Sequence, residues 1–164
     1  MKNSIVKAQD ADFYTQKLWA FGNSMKGCDY VATLGIMKFI VRDSEEPFTI
    51  DLLKELFVNN SEVVVDGFLT QVSFEAVQEA VAHGLAFKGN SYEEDGRAFL
   101  TSRELIFWGI VKQVLGDMPP GQCFEHRKPG GRGCLFGENW VMWGFCYILI
   151  KDNVGALLSC GAWD

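Results

Sequence analysis

The residues best suited to chemistry crowd into one segment, CFEHRKPGGRGC, which holds Cys123, Glu125, His126, Arg127, Lys128, Arg132 and Cys134. Cys123, His126 and Cys134 are zinc-ligand types, but a structural zinc takes four ligands in recognisable pairs. No second Cys-x-x-Cys or His-x-His follows, so no metal is expected. A Cys123–His126 nucleophile pair is the enzyme reading, with basic neighbours lowering the thiol pKa. If the segment is a strand, however, residues three apart point to opposite faces and the two would not meet. The KPGGRG loop is basic and glycine-rich, yet it lacks the Gly-x4-Gly-Lys-Ser/Thr spacing of a phosphate-binding loop and reads as a hairpin tip. Glu93 and Glu94 sit in a turn, where solvent keeps both ionised and no acid/base dyad forms. No catalytic constellation survives, so the expectation is a non-enzyme with no catalytic residues and no cofactor.

Two other groups of side chains suit binding. Trp143, Phe145 and Tyr147 alternate within one apolar run, so as a strand they would share a face. That face is either packed core or a candidate ligand pocket. The second group is acidic. Residues 44–97 carry Glu45, Glu46, Asp51, Glu55, Glu62, Asp66, Glu75, Glu79, Glu93, Glu94 and Asp95 against only Lys54, Lys88 and Arg97. The chain's net charge of −6 is therefore concentrated in its middle. Such a field repels phosphate and attracts basic surfaces, or simply keeps the protein in solution.

These residues need a framework. Apolar residues make up 48% of the 164, which excludes a disordered chain and suits a single domain, 1–164, with a real core. Five cysteines, an odd number, are scattered along the chain, and Cys146 and Cys160 lie in apolar runs where free thiols behave as small hydrophobes. No charged-then-apolar leader opens the sequence, and the longest apolar run, residues 140–150, is too short to span a bilayer. The expectation is a cytoplasmic protein without membrane contact.

Residues 9–26 predict a helix capped by Asp10 or Asp12, with Phe13, Lys17 and Phe21 in a stripe beside Leu18 and Trp19, ending near Gly22 and Gly27. In residues 29–41, Tyr30, Leu34, Met37 and Val41 fall at helical spacing, although the β-branched tail also suits a strand. Thr49 would cap a helix over 50–57, and residues 61–72 are open between strand and helix. Ser73 predicts a helix over 74–83, closed by Gly84 as a left-handed residue, with His83 favoured beside the helix C-terminus. Residues 85–87 and 97–100 would form a ribbon around SYEEDG. Thr101 and Glu104 make a capping box for an apolar helix to Leu115, ended by Gly116, that is buried or lies in an interface. Beyond Pro119-Pro120 the chain reads as strands, with Lys151-Asp152-Asn153 as a tight turn of positive φ. The run WVMWGFCYILI is apolar on both faces and belongs at the centre of a covered sheet. The fold class expected is α+β: a helical portion, 1–118, packed on a C-terminal antiparallel β-sheet, 121–164.

Gly84-Leu85, Asp95-Gly96-Arg97 and Leu100-Thr101 together give residues 49–103 a resemblance to the winged helix-turn-helix module of multiple-antibiotic-resistance-type regulators. The resemblance implies a winged-helix-like unit within 49–116 and a regulator whose aromatic sheet binds a small apolar ligand. Its recognition helix would be FEAVQEAVAH, which carries Glu75 and Glu79 and no Lys or Arg. Phosphate contacts dominate the affinity of such proteins, so direct DNA binding is not expected. The leading expectation is an acidic inhibitor, monomer or homodimer, that neutralises a basic protein such as a nuclease toxin. An immunity protein or an anti-defence protein would act this way. The regulator is the alternative, and a Cys/His-dependent enzyme the second.

Overall fold

The structure, a computed structural model, describes residues 4–24, 31–42, 50–51, 68–86, 97–127 and 143–163. Its elements run β1 (Ser4–Lys7), α1 (Ala11–Ser24), β2 (Val31–Arg42), β3 (Phe68–Val72), α2 (Phe74–Leu85), α3 (Arg97–Leu115), β4 (Gln122–Arg127), β5 (Trp143–Lys151) and β6 (Val154–Trp163). The class is α+β. All six strands join one antiparallel sheet in the order β1-β2-β6-β5-β4-β3. The division into a helical first portion and a β-rich second portion is corrected, because β1, β2 and β3 supply half of that sheet.

Alternation divides the sheet into two buried faces. Leu34 and Ile36, Phe145, Tyr147 and Leu149, and Ala156, Leu158 and Cys160 face α1, α2 and α3 in the larger core cluster. Phe39 and Val41, Cys146, Ile148 and Ile150, and Leu157 form a second cluster on the opposite face. The continuous apolar run of β5 therefore occupies the centre of the sheet, with residues 145–150 all buried.

The same two-faced burial explains β2. It is a strand along all 12 residues, paired from Val31↔Trp163 to Ile40↔Val154. A strand apolar on both sides also shows residues at helical intervals, so the spacing of Leu34, Met37 and Val41 is a coincidence of its composition, and Tyr30 lies outside the described residues. The turn between β5 and β6 is as expected, with Asp152 at φ 53°.

In α1 the buried residues are Ala11, Leu18 and Gly22, while Phe13 and Trp19 are exposed. Gly22 does not end the helix. It allows the helix to lie directly on β2, where an added Cβ would come within 3.0 Å of the Leu34 backbone nitrogen. Thr15 Oγ1 also donates to the Ile36 carbonyl at 2.7 Å. The flanking carboxylates act as ion-pair partners rather than caps: Asp12 meets Lys7 at 2.7 Å and Asp10 meets Lys38 at 2.8 Å.

The winged-helix expectation loses its wing. Residues 97–100 form the first turn of α3, not a return strand, and the capping box at Thr101 and Glu104 lies inside the helix. Arg, Ala and Leu are good helix formers, so the helix extends a turn further back than the box implied. Arg103 then donates to the Leu85 carbonyl at 2.8 Å, tying α3 to the end of α2. At its other end α3 stops as expected, at Gly116 with φ +86°.

Candidate protein-binding face

Of the acidic residues in segment 44–97, the described ones are Asp51 and, on α2, Glu75 and Glu79. Ser73, in an extended conformation, starts the helix by accepting a hydrogen bond on Oγ from the Ala76 N–H at 3.1 Å. Loss of such a cap costs about 1 kcal/mol. Ser73→Ala should lower the unfolding free energy by that amount in a denaturant melt, and Ser73→Asp should restore it. The far end differs from expectation: the helix continues through Gly84 and Leu85, and Ala86 closes it at φ −77°. Gly84 is buried within the helix and does not adopt the left-handed conformation of a helix-ending residue.

Val77, Val81, Gly84 and Leu85 anchor one side of α2 in the core, and this directs Glu75 and Glu79 outward, one turn apart. Both are exposed, and neither forms an ion pair among the described residues. By contrast Asp10, Asp12 and Glu125 each hold a basic partner, the last pairing with Arg127 at 2.8 Å. Gln78 is exposed on the same side of α2, a neighbour that the i+3 spacing from Glu75 reveals but that a search for charge alone passes over. His83 stands in the last turn of α2 and is exposed. Asp51 is exposed in a helical position next to the half-buried Ile50. Glu45, Glu46, Glu55, Glu62, Asp66, Glu93, Glu94 and Asp95 lie outside the described residues.

The strand geometry separates the proposed nucleophile pair. Cys123 belongs to the helix-side core cluster, and His126 is buried on the other face of β4. Burial, with the Glu75 charge added, pushes the Cys123 thiol up to about 11, away from a reactive thiolate. Two results follow. Native protein should resist thiol reagents at Cys123 near pH 8 and react once denatured, measured by mass spectrometry. Because the folded-state pKa is raised, this group's contribution to stability is complete below pH 9 and falls away as the pH climbs towards 11. Cys123→Ala should flatten that limb of the stability profile. Lys128, Arg132 and Cys134 lie outside the described residues. Among the described residues no group of three His, Cys, Asp or Glu side chains is placed to hold a metal ion.

Of the aromatic candidates, Trp143 is the first residue of β5, and Phe145 and Tyr147 lie on the helix-side face of the sheet. Phe107 of α3 stands edge-on to Phe145 with ring centroids 6.4 Å apart, and Phe145 and Tyr147 lie 5.7 Å apart. The two rings are thus part of the core. Burial, reinforced by the Glu125 carboxylate, raises the Tyr147 phenol above its ordinary value and keeps it neutral.

The described geometry defines a class: an α+β domain in which α1, α2 and α3 cover one face of an antiparallel sheet, with Glu75 and Glu79 on the outer side of α2. No protein-family model matches the chain, and no curated protein matches it. Among solved structures, the crystal structure of citrus MAF1 is similar, with a TM-score of 0.55 over 91% of this chain and 98% of that one. At 9% identity the likeness is one of fold. No helix among the described residues is long and apolar enough to cross a membrane.

Proposed function

We propose that this chain is an acidic protein-binding inhibitor that neutralises a basic partner in the cytoplasm, as an immunity protein neutralises a nuclease toxin or an anti-defence protein its target. The observation that carries this reading is the outer side of α2, where Glu75 and Glu79 stand exposed, one turn apart and without ion-pair partners among the described residues. A helix held by its apolar side presents those carboxylates with little ordering cost on binding. They would steer a cationic cleft towards the protein and occupy positions that its phosphate substrate takes.

The test compares the wild-type chain with Glu75→Lys/Glu79→Lys as bait for proteins of the source cell, at low salt and at about 0.5 M salt, where the Debye length has fallen to a few ångströms. The expected result is one basic protein held at low salt, released at high salt and lost from the charge-reversed bait. Its association rate with the purified variant should fall about tenfold or more. Capture that ignores salt, or that the double reversal leaves intact, would overturn the proposal. Circular dichroism of the variant separates loss of binding from loss of folding.

A further inference from the structure

We draw no further inference here: the strongest candidate, the exposed apolar side chains Leu105 and Ile106 of α3 together with Phe13 and Trp19 of α1 on the helical layer, is an unpartnered surface, and nothing in the structure shows what covers it.

Discussion

Replacing Phe107 with alanine should lower the free energy of unfolding by about 3–5 kcal/mol, the usual cost of deleting a buried aromatic ring and leaving its cavity. Phe107 is 1% exposed, and its ring meets Trp108 at 5.1 Å and Phe145 at 6.4 Å between centroids. It joins α3 to the central strand β5, so its loss weakens the contact between the two layers. Leu105 is two positions away on the same helix but 71% exposed. Leu105→Ala should therefore change stability by no more than about 0.5 kcal/mol. Chemical denaturation of the two variants decides the matter. Equal losses would mean that α3 presents a different side to the sheet.

The second large effect belongs to Gly155. A Cβ built there would lie 2.0 Å from Cζ and 2.1 Å from Cε2 of Phe39, its direct partner across β2 and β6. The Phe39 ring is fully buried and lies over the glycine, so it has no room to yield without disturbing its neighbours. Gly155→Ala should cost about 1–3 kcal/mol, as overpacking of a filled core does. The effect has a signature that a simple backbone preference lacks. In a Phe39→Leu background the added methyl should cost less, and the double mutant should be more stable than the sum of the single losses. Strict additivity would show that the ring does not rest on Gly155.

Several features of the fold were legible because their causes lie within a few residues. The Ser73 hydroxyl serves the amide three positions on, Asp152 accepts the positive φ of a short turn, and Gly116 supplies the one that ends α3. The separation of Cys123 from His126 follows from the alternation of side chains along a strand. The errors have equally specific causes. Gly22 and Gly84 read locally as helix ends, yet both are buried inside helices, Gly22 where its missing side chain lets α1 approach β2. The Asp-Gly-Arg and Leu-Thr signals of a wing gave way to helix formers that carry α3 back to Arg97. The candidate binding face was legible as charge. Its orientation was not, because only the packing of Val77, Val81 and Leu85 determines where Glu75 and Glu79 point.

By itself, then, the sequence determined the α+β composition, the β5–β6 hairpin, the two-sided burial of β5 and the excess of acid in the middle of the chain. Tertiary structure decided that β2 is a strand lying between β1 and β6, and that β3 closes the far edge against β4. It also decided that Phe13 and Trp19 are exposed while Leu18 is buried. Caps and turns are set by short-range hydrogen bonds and allowed dihedrals, which adjacent residue types reveal. Strand order, and the choice among several apolar residues for the buried side, depend on pairing and close approach between segments far apart in the chain. The pairing of Leu34 with Cys160 is one such contact, and the approach of Gly22 to Leu34 another. Those energies exist only once both segments are in place.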